Sequence, residues 1–161
     1  MSIEAVVDDV IIRGLNDLIQ ASEIAYVTTY LAEAKSNDQV RETVLLAVQK
    51  LLLRGLMEVG DIVSEPCPYT RAGSILDVAA WDLSPSQAIE RIDREWRALG
   101  RRPSLGELFW LKNTMLGNQT AMKLLELRGG NWIEEDGQQG DPSRSSGGPE
   151  SANSESEVTL L

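Results

Sequence analysis

Side chains that commonly carry out catalysis are scarce in this sequence of 161 residues. It has no histidine, which removes the commonest general base and the commonest metal ligand. Its one cysteine, Cys67, cannot build a zinc or iron–sulfur site by itself and cannot form an intramolecular disulfide. The sequence also lacks a glycine-rich phosphate loop and a nucleophile elbow. We therefore expect a protein that is not an enzyme and that needs no cofactor and no metal.

Arginines are concentrated around residues 91–102, and they are the strongest basic signal in the chain. Acids placed four residues before an arginine predict a solvated, salt-bridged helix face, and two pairs have this spacing: Glu90 with Arg94 and Asp93 with Arg97. Arg101 and Arg102 have no acid at that spacing. We take these two arginines, together with Lys112, as the candidates for contacting an anion or a DNA phosphate.

The net charge of −10 is unevenly distributed along the chain. Residues 129–161 contain seven acids and one base, a net charge of −6, whereas residues 1–128 contain 18 acids and 14 bases, a net charge of −4. Non-specific affinity for nucleic acids comes mainly from lysines and arginines that neutralise phosphates. A mildly acidic domain is not built for strong phosphate attraction, although it leaves room for a local basic patch.

Apolar periodicity predicts five helices that would position these side chains. Two of them have sharp N-terminal signals, because Ser36 and Ser84 are each followed three residues later by a glutamine, as in a capping box. Pro85 also suits a first helical position. The predicted helices span residues 4–20, 22–34, 37–54, 85–99 and 116–127.

Two segments have the character of strands. Residues 56–63 alternate between apolar and polar, with an expected break at Gly60, and residues 108–111 form an apolar, aromatic run. A capping pattern that begins at Ser104 makes a helix the alternative for the second segment. Residues 64–83 contain two prolines and little periodicity, which predicts a loop.

The segments around residues 53 and 110 resemble parts of a winged helix-turn-helix. The third predicted helix ends in Leu53-Arg54-Gly55-Leu56 and runs into a strand, as the third helix of that fold leads into the wing hairpin. The stretch Leu108-Phe109-Trp110-Leu111-Lys112-Asn113-Thr114-Met115-Leu116-Gly117 resembles the returning wing strand and closing helix of bacterial regulators of the MarR and PadR type. The matched stretches cover about residues 5–63 and 107–127. The resemblance implies a mainly α fold with a small β-hairpin, a winged-helix-like domain.

One departure from that pattern is large. About 43 residues separate Val63 from Glu107, where a wing ordinarily needs a short hairpin loop. Either the wing is elaborated by an insert at about residues 64–106, which carries its own helix, or the resemblance ends at residue 63. On the first interpretation, residues 1–128 form the winged-helix-like domain.

The third predicted helix has too much apolar surface for a base-reading helix, which needs a polar face toward the DNA. A helical projection places Val40, Val44, Ala47, Val48 and Leu51 toward the core. Leu45, Leu46 and Leu53 fall on the opposite side. Exposing three leucines would create an interaction surface or an aggregation liability. We therefore expect either the inserted helix or a second subunit to cover them, and we do not expect this helix to read bases.

Residues 129–161 are rich in Gly, Ser, Pro and acids and have little apolar surface to bury, which predicts a disordered acidic tail. No apolar run approaches the roughly 20 residues that cross a bilayer, and the first residues lack the basic start of a secretory signal. Together with the single cysteine, these features favour a cytoplasmic protein with no membrane contact.

The sequence supports two functional hypotheses. The leading one is a non-catalytic protein-interaction module on a winged-helix scaffold: an adaptor, an antitoxin-like or immunity-like inhibitor, or a subunit of a complex. Its partner is another protein or a second copy of the chain. The alternative is a transcriptional regulator that binds duplex DNA as a homodimer, in which the outward leucines serve dimerisation and Arg101, Arg102 or Lys112 contacts phosphates.

Overall fold

Five helices and one antiparallel sheet of four strands make up the computed structural model, which describes residues 2–129. The mainly α class expected from the sequence is confirmed, but the β structure is more extensive than a small hairpin. The predicted tail lies outside the described residues. In chain order, the elements are α1 (Ile3–Arg13), β1 (Ile19–Gln20), α2 (Ala21–Leu31), α3 (Asn37–Leu53), β2 (Met57–Pro66), β3 (Ser74–Ala80), α4 (Pro85–Leu99), β4 (Trp110–Asn113) and α5 (Met115–Leu127).

The two helices with capping boxes begin where the sequence predicts. Ser36 and Ser84 each accept a hydrogen bond from the backbone of the glutamine three residues later, and that glutamine's side chain returns to the cap. These reciprocal bonds satisfy amide groups that the first helical turn leaves unpaired. α4 ends at Gly100, whose φ of 74° is a conformation that glycine adopts without strain.

The first predicted helix, residues 4–20, is too long. α1 ends at Arg13, and Ile19 and Gln20 form β1, which pairs with Leu111 and Trp110 of β4. Apolar residues continue past Arg13 at helical spacing, but tertiary pairing with a strand about 90 residues later in the chain takes them out of the helix. The sequence predicts a strand at residues 108–111, with a helix as the alternative. No helix forms there, and the strand, β4, begins at Trp110, two residues later than expected.

The predicted loop at residues 64–83 is wrong. β2 continues to Pro66 and pairs with β3 in a long hairpin, so that the sheet has the order β1-β4-β2-β3. Val78 is the one buried side chain of β3, and a strand exposed on both faces has no alternating pattern to detect. Gly60 does not break β2. A Cβ there would collide with the backbone of Ala79, so glycine allows the two strands to approach.

The core is centred on α3, which packs against α1, α2 and α4. Trp96 of α4 is fully buried and donates its indole N–H to Asn37 Oδ1 at the start of α3 (2.9 Å). Arg41, also buried, lies 2.7 Å from Asp38 and 3.2 Å from Asp93 of α4. The inserted helix is therefore held to α3 by a large aromatic side chain, a hydrogen bond and an ion pair. Among residues 2–129, no helix has the length and apolar character to span a membrane.

Candidate interaction surface

A stripe of α3 faces solvent, and two of the predicted leucines lie on it. Leu46 is 49% exposed and Leu53 is 66% exposed, seven residues apart on one face of the helix. Leu45, on the adjacent stripe, is half-buried. The expectation that α4 covers the outward leucines is wrong for Leu46 and Leu53. α4 packs along a different side of α3, since Leu52 shares a small groove with Pro85 and Ala88.

The start of α5 lies at the end of α3 and carries further exposed apolar side chains. Thr114 donates its hydroxyl to the carbonyl of Gly55 (2.6 Å) and its backbone N–H to the carbonyl of Leu56 (3.0 Å), which fixes the start of α5 beside the end of α3. The next two side chains are exposed, Met115 by 77% and Leu116 by 50%. We call Leu46, Leu53, Met115 and Leu116 the apolar patch. Sequence reasoning missed the two α5 residues because the hydrogen bonds that hold the start of α5 at the end of α3 are tertiary.

The basic side chains of α3 and its cap lie in ion pairs, and two of them share one carboxylate. Arg54 makes two hydrogen bonds to Glu4, at 2.9 and 2.8 Å, and Lys50 lies 3.6 Å from the same carboxylate. The hydrogen bonds from Arg54 are the main reason why the pKa of Glu4 is lowered. Arg41 is buried against Asp38 and Asp93. Each basic side chain between residues 37 and 54 therefore has a carboxylate partner, and none is available to a phosphate without breaking an ion pair.

The three predicted anion-contacting residues differ in their surroundings. Arg101 makes two hydrogen bonds to Glu107, at 2.8 and 2.9 Å, and the pKa of that carboxyl is lowered from 4.5 to about 2, mainly by this arginine. The expectation that Arg101 has no acidic partner is thus wrong, because the turn after α4 brings Glu107 back to it. Lys112 is paired with Asp77 of β3 (2.8 Å). Arg102 donates to the backbone carbonyl of Lys35 (2.7 Å) and has no carboxylate partner among the described residues.

The acid–arginine pairs of α4 follow the predicted spacing in part. Asp93 pairs with Arg97 (3.0 Å), as expected. The predicted pair of Glu90 with Arg94 does not form; instead Arg91 pairs with Glu95 (2.9 Å), and its guanidinium carbon lies 3.8 Å from the centre of the Trp81 ring. Much of the charge on α4 is therefore balanced within the helix, which supports a solvated face.

The described residues contain no group of three or more acidic or cysteine side chains placed to hold a metal ion. Comparison of the chain with protein-family models, with curated proteins and with solved structures finds no match. Its function must therefore be argued from its own geometry and charge.

Proposed function

We propose that this chain is a non-catalytic protein-interaction module on a winged-helix-like scaffold, acting through the apolar patch. The order of elements from α1 to β3 supports the scaffold: helix, short strand, two helices and a hairpin entered directly from the end of the third helix. β4 then returns between β1 and β2. In this interpretation the segment at residues 64–106 completes a long hairpin and adds α4, which braces α3 from the side.

The observation that carries the proposal is the character of the exposed stripe of α3. A base-reading helix presents polar and cationic side chains, whereas this one presents Leu46 and Leu53 and keeps its basic side chains in ion pairs. Burying the exposed parts of these two leucines is worth about 2–4 kcal/mol. Met115 and Leu116, at the start of α5, are exposed as well, and several exposed apolar side chains are typical of a protein-binding surface.

The alternative, a DNA-binding homodimer, draws support from one local feature. Arg102 contacts the backbone of Lys35, and neither side chain has a carboxylate partner among residues 2–129. Both residues lie next to the start of α3, and their side chains are candidates for a phosphate contact. In this alternative the outward leucines join two copies of the chain, and Arg102 and Lys35 bind the backbone of the duplex.

Two double variants that leave the charge unchanged test the role of the apolar patch, and the DNA-binding measurement separates the two hypotheses. Leu46→Gln/Leu53→Gln removes the centre of the patch, and Tyr69→Gln/Leu105→Gln is the matched control, since both control side chains are exposed and lie outside the patch. We expect the wild type and the control to self-associate in sedimentation velocity, or to co-purify with one protein at a fixed stoichiometry. We expect the patch variant to do neither while keeping its helical circular dichroism.

A monomeric wild type that retains no stoichiometric partner would contradict the proposal, as would a patch variant that associates like the wild type. DNA binding is measured in parallel, at about 50 mM salt, where phosphate contacts are strongest. The DNA-binding alternative requires a complex with duplex DNA that weakens with salt and is lost in Lys35→Gln/Arg102→Gln. The absence of any complex under these conditions excludes that alternative.

A further inference from the structure

A cleft of about 520 Å³ lies between the turn that joins α1 to β1, the first turn of α2, and strand β4. Its volume is within the range of about 300–1,000 Å³ that small-molecule sites occupy. None of the four side chains of the apolar patch lines it. The cleft is thus a separate feature of the molecule, and a ligand inferred for it is independent of the proposed interaction function.

The cleft has an apolar wall and an acidic wall. Trp110 of β4 and Leu76 of β3 line one part, and Leu76 is 60% exposed. Asp17 and Glu23 line another part. This combination of an indole ring, an aliphatic side chain and two carboxylates suits a ligand with both a carbon skeleton and positive charge.

The two carboxylates of the acidic wall have too few basic partners to balance their charge. Asp17 accepts the backbone N–H of Leu18 (2.8 Å) and has no basic partner among the described residues. Glu23 has Arg13 at 3.3 Å, but the Nε of that arginine is committed to Asp9 at 2.6 Å. Burial is the main cause that raises the pKa of Glu23, against the lowering effect of Arg13, and the charge of Asp17 raises it further.

Lys112 also lines the cleft, but its positive charge adds no net attraction for an anion. Lys112 is paired with Asp77 at 2.8 Å, so its ammonium is balanced by a carboxylate outside the cleft. The surroundings of the cleft therefore contain four carboxylates (Asp9, Asp17, Glu23 and Asp77) and two basic groups (Arg13 and Lys112), a local charge of about −2. A cation is favoured there, and an anion is repelled.

Two residues of the lining have polar atoms without partners. Asn113 is 9% exposed; its Nδ2 donates to the carbonyl of Ile11 (2.9 Å) and to Asn118 Oδ1 (3.0 Å), which fixes the orientation of the amide and leaves Oδ1 unpaired. The indole N–H of Trp110 is also buried without a partner. Both atoms are enclosed by protein, with Oδ1 packed against Gly14, so only a small local shift of these lining residues would let a ligand reach them.

We propose that this cleft binds a small organic cation of the amine class. Its ammonium groups lie by Asp17 and Glu23. Its carbon chain lies on Trp110 and Leu76. A bare metal ion would find fewer than three ligating side chains here. An apolar molecule would leave both carboxylates desolvated.

The test uses the full chain with spermidine as the probe, and with citrate and 1,6-hexanediol as the anionic and neutral controls of comparable size. Binding is followed by the indole N–H signals in a ¹⁵N–¹H correlation spectrum, in which Trp110→Phe identifies the Trp110 signal. We expect spermidine to shift that signal with a saturable curve and the two controls to leave it in place. Asp17→Asn/Glu23→Gln should weaken the affinity about tenfold or more, since charged hydrogen bonds contribute about 1.5–3 kcal/mol each.

Asp82→Asn/Glu90→Gln is the matched control, because both acids are exposed and lie outside the lining. It removes the same charge and should change the affinity less than about twofold by long-range screening alone. If the Asp17/Glu23 variant does not fold, Leu76→Lys provides the same test, since this exposed position places a cation at the cleft and should also weaken spermidine binding. The absence of a saturable shift would overturn the proposal, as would an equal response to citrate or equal weakening in the matched control.

Discussion

Gly14→Ala is predicted to destabilise the protein although the backbone at this position suits alanine. Gly14 has φ −65° and ψ −12°, which are helical angles that any residue adopts. The obstacle is Asn113, whose side chain occupies the space next to the Gly14 Cα. A Cβ at residue 14 would lie closest to Asn113 Oδ1, and 2.7 Å from Cγ and 2.9 Å from Nδ2, so the amide must move.

The displaced amide performs a capping function. Ile11 is among the last four residues of α1, whose carbonyls have no partner within the helix, and Asn113 Nδ2 donates to it. Moving Asn113 breaks this hydrogen bond and the one to Asn118, a loss of about 1–3 kcal/mol. Replacing glycine by alanine lowers the conformational entropy of the unfolded chain, which stabilises the protein by about 0.4–1 kcal/mol. The net cost is about 1–2 kcal/mol.

The assay is a double-mutant cycle with Asn113→Ala, measured by urea unfolding with tryptophan fluorescence. In the Asn113→Ala background the obstacle is gone, so Gly14→Ala should raise the free energy of unfolding by about 0.4–1 kcal/mol. The coupling free energy between residues 14 and 113 is then about 1.5–3 kcal/mol. If Gly14→Ala has the same effect in both backgrounds, or stabilises the wild type, then Asn113 does not occupy the space beside Gly14 and the reasoning is wrong.

Three further predictions concern the hairpin, an exposed ion pair and the α3–α4 contact. Gly60→Ala should destabilise by about 1–3 kcal/mol in urea unfolding, because a Cβ meets the backbone of the paired strand; an unchanged midpoint would contradict that contact. The Glu107 carboxyl should titrate with a pKa of about 2 by NMR, and Arg101→Gln should return the pKa toward 4.5. Since the folded pKa is depressed, the stability from this pair is present above about pH 4.5 and is lost as the pH falls toward 2, and Arg101→Gln should abolish that part of the pH dependence. Trp96→Phe should cost about 1–2 kcal/mol in thermal unfolding, since it removes the hydrogen bond to Asn37; an equal cost in the Asn37→Ala background would show that this bond contributes nothing.

The helices that begin with capping boxes were predictable from sequence. α3 begins at Asn37 and α4 spans residues 85–99, as expected, because their start signals involve residues three positions apart. The outward direction of Leu46 and Leu53 was also predictable, since it follows from helical periodicity within a single element.

The strands were harder because their evidence is distant in sequence or weak. β1 has two residues and exists by pairing with β4, which no local pattern encodes. β3 buries one side chain, so its sequence resembles a loop. The pairing of Arg101 with Glu107 was missed for a similar reason, since i,i+4 spacing applies within a helix and this pair closes a turn.

The sequence by itself determined that the chain has no histidine and one cysteine, where its strongest helices begin, and which face of α3 is apolar beyond the needs of the core. Those properties depend on composition and on spacings of three or four residues. Only the tertiary structure decided which surfaces remain uncovered and which charges remain unpaired. α4 could have packed over Leu46 and Leu53 but packs beside them. Thr114 holds the start of α5 at the end of α3, and residues from the turn after α1, from α2 and from β4 meet around an acidic cleft. The exposure of a side chain and the net charge around it depend on residues that folding brings together from distant parts of the chain. A short segment of sequence therefore does not determine them.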